Sequence, residues 1–224
     1  MDSTAQLQEL GVDSTTLPPM TFQLPHGIHA IEVSLDAAER AAAVAQLVRD
    51  IYPLGEEPLW EVMGATYSAM ADEMLSTGVS FFGIGLYDIG NRGIAHCSLT
   101  VAVFESDQTD QDVAAHGTLE ILQQDPMRDV RWLDLPSGPA VSAISLRSLV
   151  VDGKFTTDGT DHELIMGQIQ VHIPFSTGPY TAVFTLDTAA MDQWDDFSRA
   201  MADIVRSVDF AEIPAHDEHP AEPE

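Results

Sequence analysis

Positive charge is scarce in this 224-residue chain: eight Arg and the single Lys154 stand against 36 Asp and Glu, a formal net charge of −27. Phosphate-backbone binding draws its affinity mainly from cationic side chains, which excludes nucleic acid as a partner class. Cysteine is scarcer still. With Cys97 alone, no intramolecular disulfide and no multi-cysteine zinc or iron–sulfur site can form, and a reducing compartment is expected. The stretch before Arg40 holds no Lys or Arg and so lacks the cationic region of a secretory signal. The longest apolar stretch, around Val79–Tyr87, falls well short of the roughly 20 residues that span a bilayer. The expected address is the cytoplasm, without membrane insertion.

Catalytic signatures are missing as well. The sequence has no Gly-x-Ser-x-Gly elbow, no Gly-x4-Gly-Lys-Ser/Thr phosphate loop and no Cys-x2-Cys pair. Gly83-Ile84-Gly85 approaches a dinucleotide fingerprint, but the third glycine is absent and the run lies inside a predicted strand, where glycines let a neighbour come close to a sheet. Asp152, Asp158, Asp161 and Glu163 span a potential calcium loop. Lys154 takes its third ligand position and Thr157 its sixth, where Gly is needed, so a solvated hairpin loop is expected instead. The His216-Asp217-Glu218-His219 cluster lacks a rigid scaffold and would hold a metal weakly. Neither a metal nor a cofactor is expected. His96 and His172 fall within strand-like runs and read as structural imidazoles, and Cys97, beside His96, reads as a buried small hydrophobe.

The acidity that is present is not confined to the ends. Three acids lie in Met1–Pro19 and five in Ala211–Glu224, which leaves 28 against nine bases, or −19, between Met20 and Phe210. Such a charge favours solubility and selects, if it selects at all, for basic, cationic or metal-bearing partners. With 45% hydrophobic residues the chain can bury a sizeable core. Met1–Pro19 is too polar to offset the entropy of ordering and reads as a mobile leader, and Ala211–Glu224, with three prolines and no base, as a disordered tail. Residues 20–210 then form one domain.

Periodicity fills that domain. Met20–Leu24 and Ile28–Leu35 predict short strands. Asp36 with Glu39 predicts a helix N-terminus, and Val44, Leu47, Val48 and Ile51 carry the helix to Pro53 and Gly55. Trp60, Met63, Tyr67, Met70 and Met74 form the stripe of a second helix over Glu56–Ser76, read as the face packed on a sheet. Strands follow at Val79–Tyr87 and Ile94–Phe104 around a hairpin turn, with Cys97, Leu99, Val101 and Val103 sharing a face. An acidic loop, Glu105–Asp112, leads to a helix over Val113–Gln124. Val130–Leu135, Ala140–Val151, Glu163–Phe175 and Tyr180–Leu186 predict four more strands, so closely linked that they pair antiparallel. Met191, Trp194, Phe197, Met201, Ile204 or Val205, and Val208 form the stripe of a last helix, with Asp187 as its expected cap. The fold class is α+β, an antiparallel sheet covered by amphipathic helices.

Four segments carry a resemblance. Gly78-Val79-Ser80-Phe81 after a helix, the run Arg131-Trp132-Leu133-Asp134-Leu135-Pro136-Ser137-Gly138-Pro139-Ala140-Val141, Val171-His172-Ile173-Pro174, and Thr181-Ala182-Val183-Phe184-Thr185-Leu186-Asp187 are similar to segments of uncharacterised actinobacterial proteins. The closing strand, the amphipathic helix and Ser207-Val208-Asp209-Phe210 resemble the PsbP-type α/β/α sandwich. That resemblance implies an accessory or assembly factor, and some such relatives stand beside type VII secretion components. Ser142 stands where those relatives lead one to expect Arg, and Arg147 is the next base, which weakens any anion site there.

The expected function is that of a non-enzymatic module whose acidic surface or sheet face holds a protein partner. The expected contacts are Asp88, Asn91 and Arg92 at one hairpin and Glu105, Asp107, Asp110 and Asp112 in the acidic loop. Two alternatives stand beside it. An immunity-type inhibitor would use dense negative charge to steer onto a basic toxin. A small hydrolase or lyase would need His96, His172 and nearby acids to converge in a polar pocket.

Overall fold

Burial along each strand tells how its sheet is covered. The computed structural model describes residues 6–9, 19–31, 36–90, 93–151, 153 and 158–210. The chain runs β1 (Gln6–Glu9), β2 (Met20–Leu24), β3 (Ile28–Ile31), α1 (Ala37–Ile51), α2 (Glu57–Ser76), β4 (Val79–Asp88), β5 (Ile94–Glu105), α3 (Gln111–Leu122), β6 (Asp129–Leu135), β7 (Gly138–Val151), β8 (His162–Pro174), β9 (Tyr180–Thr188), α4 (Trp194–Arg206) and β10 (Asp209–Phe210). Seven strands form one antiparallel sheet in the order β3-β4-β5-β9-β8-β7-β6, and β1-β2-β10 form a smaller one. The α+β expectation holds, and no described helix is long and apolar enough to cross a membrane.

The first face of the large sheet lies under β2 and α4. Cys97, Leu99 and Val101 of β5, Ala182, Phe184 and Leu186 of β9, and Ile169, Val171 and Ile173 of β8 meet Phe22 of β2 and Phe197, Met201 and Ile204 of α4 in one buried cluster. Phe22 sits edge-on to Phe81 and Phe184, each with ring centroids at 5.2 Å. Gly85 belongs to this face: a Cβ there would lie 2.5 Å from Cys97 Sγ. The Gly83-Ile84-Gly85 run is therefore a close-approach element of a strand, as its sequence position implies.

The second face is covered by helices at its two sides. α1 packs on β3 and α2 on β4, whereas α3 packs on β6, β7 and β8. Val44 and Val48 of α1, Tyr67 and Ala71 of α2, and Phe82 and Ile84 of β4 make a second buried cluster. Asp36 caps α1, its Oδ1 accepting from the N–H groups of Ala38 and Glu39 at 2.9 Å each. The Asp36→Ala variant is expected to lower stability by about 1 kcal/mol, the usual loss for an N-cap, read as a shift in urea midpoint at unchanged slope. Arg40, buried on α1, donates from Nη2 to Asp72 Oδ1 of α2 at 2.6 Å and ties the two helices together.

Three boundaries depart from the sequence reading. Helix α3 starts at Gln111 rather than Val113, because Asp110 is its cap and accepts from Asp112 and Val113 N–H. Asp187 is not the cap of α4. It remains in β9, paired with Ser98 and Gln168, and a 3-10 turn over Met191–Gln193 separates the strand from the helix. That entry is organised by Thr188, whose Oγ1 donates to His96 O at 2.7 Å and accepts from Ala190 N–H at 3.0 Å. Lastly, Gln6–Glu9 adds a strand to β2 within the stretch read as a mobile leader, where main-chain pairing answers the edge of β2. Residues 1–5 and 10–18 of that leader, the tail after Phe210 and Glu32–Leu35 of the predicted strand lie outside the described residues.

Candidate interaction groove

Between the two groups of helices the second face is open among the described residues. In β4 five consecutive residues, Phe81–Gly85, are buried, and in β7 four, Ala140–Ala143, so both faces of those strands are covered. In β9, from Thr181 onward, buried residues alternate strictly with half-buried ones, and the middle of β5 does the same. Those two strands are packed on one face only. Two strands occupy about 10 Å of sheet, close to the roughly 10–12 Å diameter of a helix with its side chains. Among the described residues, the helical layer thus leaves a lane one helix wide, flanked by α2 and α3. From His96 to Phe104 it runs eight residue steps, about 27 Å.

Two cavities lie along the lane. The upper one, 460 Å³, has Thr100, Ala102, Thr185, Gln170 and His172 on its floor and Thr118 of α3 at its side. The lower one, 360 Å³, is walled by Tyr52, Met63, Tyr67 and Met70, with His96, Ser98, Asp187 and Met166 among its floor residues. Met70 belongs to the helical stripe read as sheet-packing, yet it is exposed and faces this lane. Tyr52 and Tyr67 join hydroxyl to hydroxyl at 3.2 Å, and burial raises the Tyr67 phenol.

Asp187 is the carboxylate of the floor. Gln168 Nε2 donates to its Oδ1 at 2.9 Å. No basic side chain lies within 4.0 Å of it among the described residues. Burial raises its pKa, partly offset by the Gln168 hydrogen bond and the charge of Arg147. A carboxyl whose folded pKa is raised favours its protonated form in the native state, so it detracts from stability once pH rises above the unfolded value. Asp187→Asn is accordingly expected to raise the urea midpoint at neutral pH while leaving it nearly unchanged at pH 3.

The histidines do not converge. His96 pairs with Leu86, and His172 with Val183, which itself pairs with Ala102. They are six residue steps apart along the strands, about 20 Å, and two strands apart across the sheet. His172 Nε2 is buried without a hydrogen-bond partner, and burial with the charge of Arg128 pushes its pKa down to about 4. Cys97 faces the opposite side of the sheet, and burial pushes its thiol up to about 12, so it is no nucleophile at neutral pH.

Of the contact residues expected from sequence, the described ones flank the lane at its two ends. Asp88 pairs with Ile94 at one end of β5 and Glu105 closes the other, about 35 Å away. Asp88 Oδ1 accepts from Gly90 N–H at 2.7 Å and so shapes its turn. Glu105 lines the upper cavity, Asp107 is exposed beyond it, and Asp110 and Asp112 form the start of α3. Asn91 and Arg92 lie outside the described residues, as do Asp152, Lys154, Thr157 and the His216–His219 cluster. In the calcium-like loop Asp161 Oδ1 accepts from Gly153 N–H and Asp158 pairs with His162. No cluster of three metal-ligating side chains occurs among the described residues.

The sequence reading missed a second surface. β7 and β8 have 14 and 13 residues, whereas their outer neighbours β6 and β9 have seven and nine. Beyond Ile144 and Gly167 they continue as a two-stranded arm. Leu146, Leu149, Val150, Leu164 and Ile165 are exposed on it, on both of its faces. Its signal was available: apolar residues at both odd and even positions, on strands longer than any neighbour could cover.

No protein-family model matches the chain, and no curated protein matches it. A crystal structure from Bacteroides thetaiotaomicron VPI-5482 is similar over 58% of this chain and 45% of that one, at 7% identity and a TM-score of 0.34. The chain thus spans less than half the length of that structure, and a likeness so weak says nothing of function.

Proposed function

We propose that the protein is a non-catalytic interaction module whose open lane receives an amphipathic helix of a protein partner. The observation that carries this reading is the one-helix gap between α2 and α3 over β5 and β9. A helix docked there would complete the layer that α1, α2 and α3 begin, a mode of recognition in which a groove takes the apolar face of a helix. Methionine and tyrosine along the α2 wall offer adaptable apolar contact. Acidic residues at both ends of the lane, with a net charge of −27, favour a partner carrying basic residues at the ends of that helix. The separation of His96 from His172 and the inert Cys97 thiol count against the hydrolase or lyase alternative. An accessory factor, as the PsbP-type resemblance implies, working in the cytoplasm is the corresponding cellular role. Loss of the partner's own activity in the complex would mark the immunity-type variant of the same reading.

A photo-crosslinking amino acid in place of Thr185 is expected to give a defined adduct in the native host, whereas one in place of Asp195, on the outer side of α4, gives none. Ala102→Trp, which fills the lane, is expected to reduce the Thr185 adduct about tenfold, an effect worth roughly 1.4 kcal/mol. Adducts from both positions alike, insensitivity to Ala102→Trp, or turnover of a substrate by the purified chain would overturn the proposal.

A further inference from the structure

The lower cavity has the chemistry of a cation site in its own right. It is lined by the rings of Tyr52 and Tyr67 and the thioethers of Met63, Met70 and Met166, polarisable groups that suit an alkyl or aryl body and the positive charge attached to it. One ionisable carboxylate, Asp187, stands in the floor. Its Oδ1 accepts from the Gln168 amide, and no basic side chain of the described residues lies within 4.0 Å of it, although the imidazole of His96 lines the same cavity. Arg147, the base nearest in effect, is exposed on β7 and influences Asp187 only through its charge. A half-buried carboxylate left without a counter-ion is costly to maintain, since burial penalises the charged form. The cavity beside it, at 360 Å³, is of the size that small organic ligands occupy. The whole chain, at −27, attracts cations toward it.

We propose that this cavity binds an organic ammonium ion with an apolar body, its charge on Asp187 and its hydrocarbon between the two tyrosines and the methionines. The charge could be that of a free amine or of a lysine side chain on the partner helix; only the second source rests on the function proposed above. The site itself needs no partner.

The decisive probe is phenethylammonium, titrated into the full chain at physiological salt with its neutral counterpart 2-phenylethanol alongside. Binding is followed calorimetrically and by the methyl resonances of the methionines. The ammonium is expected to bind at least tenfold more tightly than the alcohol and to shift the methyls of Met63, Met70 and Met166 selectively. Asp187→Asn, which keeps a side chain able to pair with Gln168, should abolish that preference, whereas Asp195→Asn, which removes an exposed charge elsewhere, should leave it intact. Equal affinity for the two probes, shifts at other methionines, or equal losses from the two substitutions would overturn the site. A lysine-bearing helical peptide added to the loaded protein separates the sources. Displacement of the probe joins the site to the proposed lane, and binding of the probe without displacement leaves the cation site standing while the helix reading falls.

Discussion

Phe22→Ala is expected to destabilise the protein by about 3–5 kcal/mol, the range for truncating a fully buried aromatic residue. Native domains are stable by only about 5–15 kcal/mol, so the variant would be marginal at ambient temperature. The size of the effect follows from position. Phe22 belongs to β2, a strand of the small sheet, yet its ring is fully buried between Phe81 of β4 and Phe184 of β9. Removing it opens a cavity where the small sheet meets the large one and forfeits two edge-to-face ring contacts. Phe22→Leu, which keeps most of the volume, is expected to cost much less. Urea denaturation of both variants checks the difference. Equal, small losses would mean that β2 is not docked as described.

Acid should destabilise the fold through His172. The imidazole is held neutral, its pKa pushed down to about 4 by burial and by the charge of Arg128. In the unfolded chain it titrates near 6.5. Between those values the unfolded state binds a proton that the native state does not, so stability falls as pH drops from about 6.5 to about 4 and then levels off. The total is on the order of 3 kcal/mol. His172→Gln is expected to flatten the pH profile in that window by up to about 1.4 kcal/mol per pH unit, whatever its effect on absolute stability at pH 8. Profiles of equal slope for the variant and the native protein would show that another group carries the acid response. The upper cavity is where this protonation would be felt, because His172 forms part of its floor.

Much of the fold was legible because its elements are locally encoded. The alternation of Met20, Phe22 and Leu24, the cap at Asp36 and the stripe from Phe197 to Val208 each state their structure within a few residues. Asp187 shows where local reasoning fails. An aspartate a few residues ahead of an amphipathic run looks like a cap, but pairing with Ser98 and Gln168, 89 and 19 residues away, keeps it in β9. The lane was illegible for the same reason on a larger scale. Its width depends on which strands come to lie beside β4 and β7, and β5 reaches β9 across more than 70 residues of chain. A hairpin turn and an acidic loop drew attention to Asp88 and Glu105, which mark the two ends of the strand that floors the lane. The residues between them, Thr100 and Ala102, are chemically plain and carried no signal of their own.

The pairing of β10 with β2 places Phe210 opposite Met20 and Asp209 opposite Thr21. Tension transmitted through those two points would therefore not shear the strands past one another. It would part them one rung at a time, as a zipper opens, beginning at the outermost rung. Such a geometry resists force weakly, and this seam lies on the far side of the large sheet from the lane, so strands β2 and β10 could part without disturbing the binding surface.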